Sequence, residues 1–125
     1  MKNSLKIDLG LVVLRIAASA MLLTHGIHKF QKLINGNFEF PNPLGLGAAP
    51  SLFLAVVGEF VCPILIIIGF KTRWASVPPA IVMLVAAFMI HGSDPFKVKE
   101  LALLYLVAFL TIMLLGPGRY SIDKK

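Results

Sequence analysis

Four apolar runs, each close to the length needed to cross a bilayer, limit what this chain can fold into. They cover about residues 9–29, 51–70, 76–91 and 98–115. A helix rising 1.5 Å per residue needs roughly 20 apolar residues to cross a hydrocarbon core of ~30 Å. The 125 residues leave room for four such spans and short connections, but for no separate soluble domain. Composition excludes most alternatives: hydrophobic residues make up 58%, charged ones 14%, and mean hydropathy is +0.86. Soluble domains carry roughly 25% charged residues. A single cysteine removes a disulfide scaffold. The expected fold is all-α: a single integral membrane domain over residues 1–125, built as a four-transmembrane-helix bundle.

The charges then serve mainly as topology signals. The net charge of +6 and pI near 9.8 would suggest nucleic acid in a soluble protein, but no basic stripe interleaved with aromatics exists. Instead, Lys2, Lys6, Lys71, Arg73, Arg119, Lys124 and Lys125 share one side of the four-span arrangement, against Lys29, Lys32, Lys97 and Lys99 on the other. The positive-inside rule places both termini in the cytoplasm, with Trp74 and Tyr120 at the inner interface. Lys2 and Lys6 before an apolar run imitate a secretory signal. Arg15 interrupts that run and three more spans follow, so cleavage is not expected.

Local signals set the helix ends. Ser76 is expected to cap the third helix, with Pro78 and Pro79 in its first turn. Gly69 and Gly116-Pro117-Gly118 stop the second and fourth. The segment from Gln31 to Pro50 carries Asn35-Gly36-Asn37, Pro41, Pro43, Gly45 and Gly47, which forbid a regular helix; it reads as an outer loop or lid. A weak two-fold parallel repeat of helix pairs is also visible. His25-Gly26 with Phe30 matches His91-Gly92 with Phe96, and each following helix carries an acid, Glu59 or Glu100.

Ionisable groups inside spans cost at least ~2.5 kcal/mol each at the bilayer centre. Arg15, His25, Glu59, His91 and Glu100 therefore need an explanation, with His28 and Lys29 near the outer edge. By helical rise, the two histidines and two acids fall in the outer half of the bundle. Arg15, Ala18, Ser19, Leu22, His25, Gly26 and Lys29 share a stripe of the first helix, and Ala55, Glu59, Cys62, Pro63 and Ile66 a face of the second. Ala80, Leu84, Ala87, Phe88 and His91 are expected to share a face of the third, and Glu100, Leu104, Val107 and Thr111 one of the fourth. Pro63 lacks the amide that would bond the Glu59 carbonyl.

Several readings of this cluster remain open. The groups could satisfy one another and fix helix register. They could hold a quinone or small aromatic, with Phe53, Phe60 and Phe88 as walls. Haem between His25 and His91, or a metal among the two histidines and two acids, is not excluded, although the Glu-x-x-His spacing of di-iron bundles is absent. Arg15 could snorkel to headgroups or bind a cofactor's anionic or carbonyl group, and Lys29 could anchor at the interface or contact a cofactor. Cys62 reads as packing.

Leu14-Arg15-Ile16, His25-Gly26 with Lys29-Phe30, Gly58-Glu59 and Gly69-Phe70-Lys71-Thr72-Arg73 together resemble the DoxX/DoxD-like family of small membrane proteins. His91-Gly92-Ser93-Asp94-Pro95-Phe96 with Lys99-Glu100-Leu101-Ala102, and the closing Gly116-Pro117-Gly118-Arg119-Tyr120-Ser121-Ile122-Asp123, match as well. The resemblance implies a four-helix bundle in a bacterial or archaeal cytoplasmic membrane. Some members are subunits of thiosulfate:quinone oxidoreductase or of terminal oxidase assemblies. It thus implies a quinone-linked redox role, as an oxidoreductase or as an accessory or anchor subunit beside redox partners or a second copy. The residues expected to act are Glu59 as proton relay, His25 and His91 on the ring oxygens, and Glu100 orienting a histidine. Arg15 and Lys29 are further candidates for cofactor contact.

Overall fold

The computed structural model describes residues 2–41, 45–90 and 92–123. Its described residues form four long helices, each apolar enough to cross a membrane. They are α1 (Lys2–Ile34), α2 (Ala48–Ile68), α3 (Thr72–Ile90) and α4 (Phe96–Leu115). Each packs against two neighbours, in the cyclic order α1, α2, α3, α4. The side chains facing outward are overwhelmingly apolar, among them Val13, Met21, Ile64, Ile81, Leu104 and Leu114. A bundle clothed in this way is solvated by lipid.

The ends of the helices show how local chemistry overrides hydropathy. Apart from Gly10 and Gly26, no helix breaker interrupts α1 until Asn35-Gly36, so it extends beyond its apolar run at both ends. The Schellman motif at Gly69 ends α2: the Gly69 and Phe70 amides donate to the Ile66 and Leu65 carbonyls, with Gly69 at φ 76°. Ser76 lies inside α3, where the helix tightens between a first turn at Thr72–Ala75 and the main segment from Val77. Its hydroxyl donates back to the Arg73 carbonyl at 2.7 Å instead of capping forward. Pro78 and Pro79 still occupy the first turn of the main segment, where their missing amides cost nothing.

The buried faces of α1 and α2 are largely those expected from the polar markers: Arg15, Ala18, Ser19, Leu22 and Gly26 on α1, and Ala55, Glu59, Cys62, Pro63 and Ile66 on α2. His25, expected on the α1 stripe, is exposed and Lys29 only partly buried. The other two helices are rotated from the expectation. On α3, Ala80, Met83 and Ala87 are buried while Leu84 and Phe88 point outward. On α4 the core face is Tyr105, Phe109 and Ile112, and Glu100, Leu104 and Val107 are exposed. Both helices are apolar all round, so hydrophobicity cannot tell the core from the lipid. The bulky aromatics Tyr105 and Phe109 take the interior.

At the end of the bundle holding the termini, a buried arginine ties the chain together. Arg15, 3% exposed, donates to the carbonyls of Pro117 (2.7 Å), Tyr120 (2.9 Å) and Ile67 (3.3 Å). Its guanidinium is spent on these carbonyls, and it lines neither of the two cavities at the other end of the bundle. The C-terminal segment then runs back along the α2–α3 turn, where the Asp123 amide donates to the Gly69 carbonyl at 2.9 Å. The Asp123 carboxylate accepts from the Lys71 and Thr72 amides, both at 2.8 Å. These bonds hold Lys71 in the left-handed conformation at φ 49°, which a residue with a side chain seldom adopts.

Burial alone would raise the Asp123 pKa. The amide bonds from Thr72 and Lys71, with the nearby Arg15 charge, outweigh burial and hold it below its ordinary 3.8. Because the folded value is depressed, the carboxylate's contribution is present above the unfolded pKa and is lost as pH falls through the folded one. Release of the C-terminal segment, followed by proteolysis, is therefore expected to rise only below about pH 4. In Asp123→Asn it should be faster at neutral pH and lack this acid step.

Candidate functional site

The opposite end of the bundle holds the other buried charges. Gly58 and Glu59 lie where α2 widens into a π turn, Val57–Val61, closed by a bond from the Cys62 amide to the Val57 carbonyl. Pro63, which has no amide to offer Glu59, follows immediately. Such single-turn bulges redirect side chains and frequently mark functional sites. Here the bulge lets α1 and α2 meet closely. A Cβ added to Gly26 would stand 2.0 Å from the Glu59 carbonyl oxygen, so only glycine fits. One turn further along, Phe30 stacks on Phe60 with ring centroids 4.4 Å apart. Gly26→Ala is accordingly expected to push α1 from α2 and cost about 1–3 kcal/mol. A lower melting temperature than that of Ala17→Gly, a change at an outward-facing position, would register it.

The Glu59 side chain, 1% exposed, forms an ion pair with the Lys29 ammonium, which reaches it from α1. Sequence reading paired the acids with histidines and gave Lys29 an interfacial or a cofactor-contacting role, not a partner in Glu59. The signal was present, because Lys29 lies one turn beyond His25 on the same stripe. It was misjudged because α1 continues five residues past Lys29, leaving the side chain to reach inward. Phe40, from the loop after α1, lies over the ammonium at 5.7 Å from its ring centroid.

Two cavities share this ion pair as a wall. The larger, about 320 Å³, lies between α2 and α3 and is lined by Leu54, Ala55, Ile81, Val82, Val85 and Ile90, with Phe40, Lys29 and Glu59. Leu54 and Ile81 are both exposed on the outer surface, so this cavity opens toward lipid. The smaller, about 180 Å³, takes residues from all four helices, including Lys29, Glu59, Met83 and Tyr105, and opens past the exposed His25, Val98 and Leu101. His25 meets the Tyr105 ring edge-on, with centroids 6.0 Å apart.

The fold thus brings Lys29, Glu59, His25 and Tyr105 together. Glu100, expected to orient a histidine, is instead exposed on the outward face of α4 and lines neither cavity. His91 lies outside the described residues. Arg15 is at the other end of the bundle, committed to backbone carbonyls. The aromatic walls expected from Phe53, Phe60 and Phe88 do not line the cavities; Phe53 and Phe88 are exposed and Phe60 is stacked on Phe30. Aliphatic side chains take their place. Among the described residues, no three His, Cys, Asp or Glu side chains are grouped closely enough to hold a metal ion. The positions matched in the expected repeat also differ in surroundings. Glu59 is buried and Glu100 exposed, and Gly26 packs between helices whereas Gly92 lies in a turn.

Fold and site together define a multi-pass helical membrane protein, with a partly buried charged pair beside a largely apolar chamber. Within that class the chain belongs to the DoxX family, whose model matches residues 10–92. An uncharacterized protein of Haemophilus influenzae is 36% identical over 92% of this chain and 89% of its own length. A second uncharacterized protein of that organism is 28% identical over 91% of this chain and 81% of its own. The inner membrane protein YqjF of Escherichia coli is 29% identical over 94% of this chain and 92% of its own. No solved structure matches.

Proposed function

We propose that this chain is a quinone-linked redox protein of the cytoplasmic membrane, with the ring bound against Lys29 and Glu59. One observation supports this reading above others: a partly buried ion pair lines a largely apolar chamber of about 320 Å³. Ligand sites combine mostly apolar walls with a few polar groups that fix orientation, at volumes from roughly 300 Å³ upward. The Lys29 ammonium supplies donors for a ring oxygen, and Glu59 is placed to take or give a proton. His25, in the adjoining chamber, is the group that would exchange protons behind the pair. Electrons would come from a partner subunit, because the sequence shows no cofactor motif of its own.

Both termini are assigned to the cytoplasm, which puts the site in the outer half of the membrane. Exposed Lys71, Arg73 and Arg119 support this, gathered with Trp74 and Tyr120 at the terminus end. A reporter fused after Lys125 should be active only as a cytoplasmic fusion.

The competing reading is a non-catalytic accessory or anchor subunit of a redox complex. It draws on the same pair, since Lys29 and Glu59 satisfy each other without any ligand. Menaquinone or ubiquinone retained by the purified protein, compared with Glu59→Gln and His25→Ala, separates the two. Binding at least tenfold weaker in Glu59→Gln is expected. Unchanged binding in both variants, or none in the wild type, overturns the quinone reading and leaves the anchor.

A further inference from the structure

The two chambers on either side of the ion pair differ in their lining, and the aliphatic lining of the larger one says which ligand it admits. The small one draws its lining from all four helices and opens to the surface past the exposed His25, Val98 and Leu101; its polar lining comes from His25, Lys29, Glu59 and Tyr105. The large one is bounded by α1, α2, α3 and Phe40, and its lips, Leu54 on α2 and Ile81 on α3, are exposed. In a bundle solvated by lipid, that opening faces acyl chains, not water. The deep wall of the same chamber is the Lys29–Glu59 pair, where one of the three ammonium donors goes to the carboxylate and others can reach a ligand oxygen.

We infer that the large chamber is a lateral portal for a lipid-borne ligand. Such a ligand has a small oxygen-bearing head, which lies against Lys29 and Glu59, and a long apolar tail, which leaves between Leu54 and Ile81 into the bilayer. The occupant follows from the charge pattern. An apolar tail matches the aliphatic lips, and a carbonyl oxygen matches the ammonium at the inner wall. A water-soluble compound without a tail would forgo the apolar contacts along the portal. This assignment rests on the quinone reading and narrows it: the substrate is the tailed, membrane-dissolved form, taken directly from the lipid phase.

The test uses two naphthoquinones with the same ring, menaquinone-4 with its isoprenoid tail and menadione without one. Each is measured as ligand retained by the full chain in nanodiscs, corrected against empty discs of the same lipid. Wild-type protein should hold menaquinone-4 at least tenfold more tightly than menadione. Ile81→Trp, which fills one lip from an exposed position, should weaken menaquinone-4 at least tenfold and change menadione less than twofold. Leu54→Trp blocks the opposite lip and should do the same, whereas Leu104→Trp on the lipid face of α4 should change neither ligand. Equal loss of both ligands, or menaquinone-4 binding indifferent to both lip variants, overturns the portal while leaving the ring site standing. Absence of both ligands from the wild type overturns the ring site and the portal with it.

Discussion

Arg15→Met is expected to release the C-terminal segment and lower stability by roughly 3–6 kcal/mol, one of the two largest effects for a single substitution in this chain. The figure comes from two well-formed bonds to a charged donor, at about 1.5–3 kcal/mol each. These are the bonds to Pro117 and Tyr120, with the longer one to Ile67 adding a little. Loss of the guanidinium also strands three carbonyls in a region with little water to replace it. Arg15→Lys should recover only a minor part. A single ammonium has no planar fork and cannot span acceptors on two separate segments. Two measurements check the expectation: SDS titration in mixed micelles for global stability, and the rate of tryptic cleavage at the exposed Arg119. Wild-type values for both in Arg15→Met would show that the clasp contributes nothing.

The arginine also shows what the sequence made legible. Its presence inside an apolar run demanded an explanation, and its stripe on α1 is the buried face from Arg15 to Leu22 and at Gly26, though not at His25. The partners were not readable, because they are backbone carbonyls from a segment about a hundred residues away, and carbonyls leave no mark in a sequence. Three of the motifs that carried the family resemblance turn out to meet there: Leu14-Arg15-Ile16, the turn from Gly69 to Arg73, and the closing segment from Gly116 to Asp123. The spans themselves were legible because lipid enforces their length. Faces were legible only where a polar or small residue marked them. α1 has Arg15 and Ser19, and α2 has Gly58, Glu59 and Pro63, so their burial was foreseen. α4 offered only Glu100 as an apparent marker, and the acid near its first turn points outward while Tyr105 and Phe109 fill the core.

Site geometry was legible in part for the same physical reason. Depth along a helix follows from the rise per residue, so Glu59 was correctly placed within the bundle. The reach of a side chain does not follow from depth. A lysine spans four methylenes, and Lys29 uses them to leave its own level and meet Glu59. The cavities were not legible at all, since their walls are aliphatic residues indistinguishable by type from those facing lipid.

The second large effect follows from the unequal burial of the two partners. The Lys29 side chain is 29% exposed and Glu59 is 2% exposed, counted on side chains alone. If Glu59 is changed to Gln, the ammonium can turn outward and regain polar surroundings, so a loss of only about 1–2 kcal/mol is expected. If Lys29 is changed to Met, the carboxylate has nowhere to go. It remains beside apolar side chains with its charge uncompensated, and breaking a buried pair in this way typically costs about 3–5 kcal/mol. Changing both, as Lys29→Met with Glu59→Met, removes the charges together and should recover most of that loss. SDS titration of the two single variants and the double variant closes the cycle, with a coupling energy above about 2 kcal/mol expected. Equal losses in the two single variants would mean that Glu59 reaches polar surroundings as readily as Lys29. A double variant as stable as wild type but unable to retain menaquinone-4 would have a further consequence. The pair would then be present for the ligand it contacts, with helix register secured elsewhere by close packing such as that of Gly26 on Glu59.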